Sequence, residues 1–244
     1  MYGGIVYAAF FISFLYLAGF VGGDALAFLG LPLTVDAGGP VASSNGMAAL
    51  INIGLLTLFG LQHTIMARPS FKKAWTQVVP KSVERSTYVL FTTIVLVLLF
   101  YQWRPMTDVI WNVEPGLWYT VLLGLFLLGY LLVLVTTFLI NHFELFGLMQ
   151  VWYRFQGKDL PEPKFVTPVF YKSIRHPLYL GWITFFWATP IMTAGHLLFA
   201  AIWTIYIFIA VGYEERDMVQ LFGDRYRDYM AKVPMIIPFG SRKD

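Results

Sequence analysis

Thirty-seven consecutive residues, Pro177 to Tyr213, contain no Asp, Glu, Lys or Arg. Four more uncharged runs precede them, at Met1–Gly23, Met47–Ala67, Ser86–Trp103 and Leu117–Ile140. A helix crosses the hydrocarbon core of a bilayer with roughly 20 apolar residues, so each of these four runs suits one span. At 58% hydrophobic and 13% charged, with a mean hydropathy of +0.65, the chain falls outside the range of soluble domains. The fold class is therefore all-α integral membrane. The first run lacks a basic leading segment, and Gly22-Gly23-Asp24 makes a poor cleavage site, so it reads as a retained helix rather than a signal peptide.

The last run is too long for one span. As a single helix it would reach about 55 Å, against a hydrocarbon core of about 30 Å. Thr189-Pro190 and Ala194-Gly195 interrupt it, and proline and glycine loosen a helix. The expectation is a hairpin of two helices, about Pro177–Ala188 and His196–Tyr213. The first is short enough to dip into the bilayer without crossing, which makes five or six membrane segments in all.

Charge sets the orientation. Sixteen of the seventeen Lys and Arg fall in three places: loop 68–85, loop 141–176, and the tail from Glu214. The loops at 24–46 and 104–116 hold only Arg104. Positively charged loops stay cytoplasmic, which puts both termini and both basic loops in the cytosol. By the same parity, Arg175-His176-Pro177 and Glu214-Glu215, at the two ends of the hairpin, emerge together on the cytoplasmic face of a cell (inner) membrane. Topology also accounts for the pI near 9.0 without a nucleic-acid partner. With no cysteine, disulfides, thiolate nucleophiles and cysteine-ligated metals are all excluded.

One domain accommodates everything: four spanning helices within 1–140, a cytosolic loop 141–176, the hairpin 177–213 and a cytosolic tail 214–244. Residues 214–232 read as a short amphipathic helix, with Met218, Leu221, Phe222, Tyr226 and Tyr229 on one face. Val233-Pro234 and Ile237-Pro238 end it. Pro177 suits a first helical turn, where no donor is lost. Arg175 is open to two readings, snorkelling to headgroups or holding a ligand. Glu214 and Glu215, acidic groups on a positive face, call for partners that a ligand's amino or hydroxyl groups would supply. The four histidines lack metal-ligand spacing, and His142 and Glu144 do not share a helix face, so no metal is expected.

Phe165-Val166-Thr167, Tyr171, Arg175-His176-Pro177-Leu178-Tyr179 and Gly181 form the first half of a two-part motif. Glu214-Glu215, Met218, Phe222-Gly223, Tyr226, Tyr229 and Val233-Pro234 form the second. Together they resemble the integral-membrane methyltransferases of the isoprenylcysteine carboxyl methyltransferase and phospholipid methyltransferase superfamily. Shorter stretches resemble its methanethiol S-methyltransferase branch. These are Leu61-Gln62-His63-Thr64-Ile65-Met66-Ala67-Arg68, Glu84-Arg85-Ser86-Thr87-Tyr88, Gln102-Trp103-Arg104-Pro105 and Asn141-His142-Phe143-Glu144-Leu145-Phe146-Gly147-Leu148.

The resemblance implies a cytosolic S-adenosylmethionine site. Carried over by position, its contacts would be Gln156, Phe165, Val166, Tyr171, His176, Pro177, Leu178, Tyr179 and Glu214, with Glu215 beside them and Arg175 facing the methionyl carboxylate. Two departures narrow the acceptor. The prenylcysteine branch has a histidine where this chain has Pro163, and an arginine for the substrate carboxylate where this chain has Ala210. The implied acceptor is a small thiol, methanethiol, with dimethyl sulfide as product and membrane lipid as the surroundings. A lipid amine, another lipophilic acceptor or a non-catalytic accessory role are the alternatives. A thiol is a better nucleophile once deprotonated, so a base would help. His63, and His142 with Glu144, are the candidates, each set against an ordinary structural role. His196, at the far turn, is left out.

Overall fold

The computed structural model describes residues 1–162 and 164–237. Pro163, Pro238, Arg242 and Lys243, which entered the sequence reading, lie outside the described residues. The elements are α1 (Tyr2–Gly22), α2 (Asn45–Ala67), α3 (Pro69–Trp75), α4 (Lys81–Gln102), β1 (Val109–Asn112), α5 (Leu117–Ile140), α6 (His142–Leu145), α7 (Leu148–Phe155), α8 (Pro177–Trp187), β2 (Ile191–Thr193), α9 (Ala194–Phe222) and α10 (Asp224–Lys232). Among the described residues, five helical segments are long and apolar enough to cross a membrane: Tyr2–Leu29, Asn45–Ala67, Lys81–Gln102, Leu117–Ile140 and Ala194–Phe222. The chain is a multi-pass membrane protein. Ile12, Leu128, Leu131, Phe138, Ile205 and Phe208 are exposed along these helices, as expected of surfaces that face lipid tails.

Six helices form a ring. Going round it, α5 packs on α8, α8 on α9, α9 on α2, α2 on α4, and α4 on α1. Side chains close it between α1 and α5. The Phe14 and Tyr130 rings stack at 4.7 Å, and the Tyr130 hydroxyl donates to the Phe14 carbonyl at 2.7 Å. The α5–α8 seam is the tightest because small residues let the backbones approach. A Cβ on Gly181 would lie 2.9 Å from the Gly129 carbonyl oxygen, and one on Gly129 would lie 2.6 Å from the Phe185 nitrogen.

One end of the ring is plugged. Trp103 donates its indole N–H to the Val35 carbonyl at 3.0 Å, and Asn52 exchanges two hydrogen bonds with the Arg104 backbone. The Asp36 carboxylate accepts from the Thr193 hydroxyl at 2.6 Å and the Asp24 amide at 3.0 Å. That second contact is why α1 turns at Gly23, at φ 49°: any Cβ there would strike the Asp36 carboxylate. β1 and β2 pair antiparallel at the same end, so the hairpin turn joins this plug.

The hairpin differs in detail from the expectation. Its first helix has 11 residues, about 16 Å, and the chain reaches the plug through the extended segment after Trp187. Pairing with β1 satisfies backbone groups of that non-helical segment. The larger correction concerns the tail. α9 runs on through Glu214 and Glu215 to Phe222, breaks at Gly223 (φ 60°), and only then does α10 begin. Charge at a membrane boundary does not end a helix, whereas a left-handed glycine does.

Candidate active site

The ring encloses a cavity of about 480 Å³ walled by all six helices. Along α9 its lining runs from Phe199 through Trp203, Tyr206 and Ala210 to Glu214; along α4 it runs from Leu99 to Arg85. At 1.5 Å per residue both walls are about 20 Å long, so the cavity is deep. Its chemistry changes along that depth. At the mouth stand Arg68, Arg85, Tyr171, His176, Glu214 and Asp217. Toward the plug the lining is Phe14, Leu17, Phe59, Leu96, Leu99, Phe186, Phe199 and Trp203.

The glutamate pair divides into two roles because neighbours on a helix point about 100° apart. Glu214, exposed at the mouth, lines the cavity and accepts from the Tyr179 hydroxyl at 2.8 Å. Glu215 turns away. Its Oε1 accepts from Arg175 Nε at 2.7 Å and meets His176 Nε2 at 3.0 Å. Arg175 also donates to the carbonyls of Met230 and Val233, while the Arg175 and His176 amides donate to Pro234 and Met235 carbonyls at 2.9 and 3.0 Å. This cluster straps the segment after α10 across the start of α8. The Tyr229 hydroxyl donates to the Tyr171 carbonyl in the same region; burial pushes the Tyr229 phenol up to about 12 and raises Tyr171, where nearby Glu214 adds to the effect.

The candidate bases part company as well. The Tyr88 hydroxyl lies 2.9 Å from each ring nitrogen of His63, and the Phe59 ring stacks on the imidazole at 5.5 Å. Two nitrogens sharing one hydroxyl leave His63 with spare hydrogen-bonding capacity toward the cavity it lines. Arg85, anchored to the Leu145 carbonyl at 2.6 Å, sits 4.6 Å over the Tyr88 ring. His142 is fully engaged instead. Thr137 spends its hydroxyl hydrogen on the Leu134 carbonyl, so it accepts from His142 Nδ1–H at 2.8 Å; His142 Nε2 then accepts from the Tyr7 hydroxyl at 2.8 Å. Burial lowers the His142 pKa. Glu144 stays outside the cavity lining, accepting from Asn141, whose side chain caps α6.

Of the carried-over cofactor positions, Tyr171, His176, Leu178, Tyr179 and Glu214 line the cavity. Pro177 is buried at the first turn of α8. Phe165 packs against Phe222, Tyr226 and Tyr229 instead, Val166 is 57% exposed, and Gln156 is exposed at the end of α7. Sequence reasoning did not single out Arg68, Tyr88, Tyr206 or Asp217. Arg68 pairs with Asp217 at 3.0 Å, and the Tyr206 hydroxyl bonds Thr64 at 2.9 Å. Arg68 and Tyr88 fall inside stretches that carried the resemblance; Tyr206 and Asp217 gave no signal.

The family model described as phospholipid methyltransferase matches residues 119–225. Methanethiol S-methyltransferase 1 of Bradyrhizobium diazoefficiens is 51% identical over 98% of this chain and 81% of its own length. The chain belongs to the methanethiol S-methyltransferase family. The methanethiol S-methyltransferase of Mycobacterium tuberculosis is 47% identical, covering 99% of this chain and 96% of that protein. The one from Crocosphaera subtropica is 46% identical, covering 100% and 92%. Membership thus extends over α1 to α4, which lie outside the phospholipid methyltransferase match and of which α1, α2 and α4 wall the cavity. No solved structure matches the chain.

Proposed function

We propose that this protein transfers the methyl group of S-adenosylmethionine to methanethiol, giving dimethyl sulfide and S-adenosylhomocysteine. The observation that carries this is the gradient within one cavity, from a mouth of mixed charge to an uncharged aromatic interior. The family supports it, since relatives aligned over nearly the whole chain are named for this reaction.

The mouth suits the cofactor chemically. S-adenosylmethionine carries an ammonium, a carboxylate, ribose hydroxyls and an apolar adenine, and it supplies an electrophilic methyl on a sulfonium. Glu214 takes ammonium or ribose hydroxyls by charge-assisted hydrogen bonds. Tyr171 and Leu178 wall the adenine, and Arg68 and Arg85 bring positive charge to the carboxylate. Arg175, His176 and Glu215 hold the strap and α8 in place. Gln156, Phe165 and Val166 receive no part in this assignment.

The interior does the rest. Its rings offer cation–π attraction to a sulfonium that a nearby cation would repel. Exclusion of water favours attack of a thiolate on a sulfonium, because charge disappears in the step. Alignment of sulfur with the methyl group supplies the other large factor. The thiol proton passes to His63, with Tyr88 orienting the imidazole. The positive-inside rule, applied to the basic segments 68–85, 141–176 and the tail from Glu214, supports a mouth and termini in the cytosol, at the inner membrane.

Headspace gas chromatography of purified protein supplied with S-adenosylmethionine and methanethiol tests the reading. Dimethyl sulfide formed in proportion to enzyme is the expected result. Its absence from protein that still binds S-adenosylhomocysteine would overturn the proposal.

A further inference from the structure

The cavity is much longer than methanethiol needs. Between Tyr206 and Phe199 the α9 wall extends seven residues, about 10 Å, and between Tyr88 and Leu99 the α4 wall extends eleven, about 16 Å. Methanethiol has two heavy atoms; a straight four-carbon thiol is about 6 Å long at ordinary bond lengths. Among the described residues lining this inner part, no side chain carries a charge. Its one hydroxyl, that of Thr92, donates to the Tyr88 carbonyl at 3.0 Å. The walls are aromatic: Phe59 and Trp203 meet at 5.0 Å, Phe186 and Trp203 at 6.1 Å, Phe186 and Phe199 at 5.4 Å.

We infer that the same site methylates neutral thiols larger than methanethiol, up to about the size of butanethiol or benzenethiol, and rejects thiols that carry a charge. The inference rests on the methyltransferase reading above. A longer acceptor keeps its sulfur near Tyr206 and His63 and directs its hydrocarbon toward Leu99 and Phe199. An aryl group meets rings placed for offset or edge contacts. Cysteine or glutathione would bring ammonium and carboxylate groups into a lining with no opposite charge for them and one free buried indole N–H, that of Trp203, which is costly. The chemistry is unchanged: the methyl–sulfonium bond breaks with its electron pair staying on the cofactor sulfur, a bond forms from the acceptor sulfur to the methyl carbon, and the thiol proton leaves through His63 to solvent.

The test is a substrate series on full-length protein in vesicles or detergent, with S-adenosylmethionine as donor: methanethiol, ethanethiol, butanethiol, benzenethiol and cysteine. Methylated butanethiol and benzenethiol are expected, with KM falling about threefold to fourfold per added methylene as apolar surface is buried. No methylated cysteine is expected. Leu96→Trp, which fills the inner part, should depress kcat/KM for benzenethiol at least tenfold more than for methanethiol, in protein that retains S-adenosylhomocysteine binding. If methanethiol is methylated and the larger neutral thiols are not, this inference fails and the proposed function stands. Turnover of cysteine, or an unchanged benzenethiol-to-methanethiol ratio in Leu96→Trp, would also overturn it. No turnover of any thiol would sink the parent reading.

Discussion

Glu214 and Glu215 are adjacent, both acidic, and should fail in opposite ways. In Glu215→Ala the Arg175 guanidinium loses its carboxylate partner while both side chains are nearly buried, at 11% and 13% exposed. Removing one partner of a buried pair costs about 3–5 kcal/mol when nothing replaces it. Here Arg175 keeps its carbonyl acceptors at Met230 and Val233, so the cost should be lower, about 2–3 kcal/mol. For a chain of this size that corresponds to a Tm drop of roughly 5–10 °C. The loss should begin at the strap, because Pro234 and Met235 are bound to the same Arg175-His176 turn.

The assay is thermal unfolding in detergent together with limited trypsin digestion, reading cleavage after Arg227 and Lys232. Glu215→Ala should unfold earlier and be clipped in α10, and Glu215→Gln, which keeps an acceptor, should recover part of the difference. Glu214→Ala should leave Tm and clipping close to wild type and weaken S-adenosylhomocysteine binding about tenfold or more, the loss of a charge-assisted contact. If the two alanine variants behave alike in both measurements, the division of the pair by helix angle is wrong.

Three further outcomes follow from the geometry. Gly181→Ala should lower Tm by several degrees, since its Cβ meets backbone at 2.9 Å, whereas Gly124→Ala on the open face of α5 should be neutral or stabilising; equal effects would refute the α5–α8 seam. His142 has a folded pKa below its unfolded value of about 6.5, so its contribution to stability is present above that pH and lost as pH falls toward the folded pKa. Tm measured from pH 8 to 5 should therefore decline below about 6.5, and His142→Gln should flatten the decline. His63→Gln should cut dimethyl sulfide formation about 100-fold at neutral pH, with the deficit shrinking as pH rises and the thiol ionises unaided; a deficit constant with pH would remove His63 as the base.

The membrane class and the meeting of the motif halves were legible because they depend on charge and apolarity summed over long segments. Uncharged runs locate helices, and loop charge fixes which ends share a side, so Tyr179 and Glu214 could be brought together before any contact was known. What was not legible depends on angle and packing. No pattern separates Glu214 from Glu215, because only the phase of α9 decides which one faces the cavity, and the run of the helix past Tyr213 was itself misread. Tyr88 was overlooked because its partner His63 lies on α2, and their contact exists only once α2 packs on α4. Glu144 looked chemical beside His142, yet it completes a helix cap, which a sequence writes with the same residue types as an active site.

On the proposed reading, the gradient on α9 would also confine where the methyl group moves. Glu214 and Ala210 are one turn apart, about 6 Å, and Tyr206 is one turn further in. The last charge on this wall and the first wholly uncharged turn are therefore neighbours. A cofactor held at Glu214 would, on this reading, meet at that step an acceptor held by apolar contact alone. His63 and Tyr88 stand on the facing helices at the same boundary. On the same reading Ala210 is more than an absent arginine: a guanidinium there would add a fixed cation to the cavity one turn from Glu214 and favour an anionic acceptor. A small side chain at that turn would leave a neutral thiol room to approach without desolvating a fixed protein charge there.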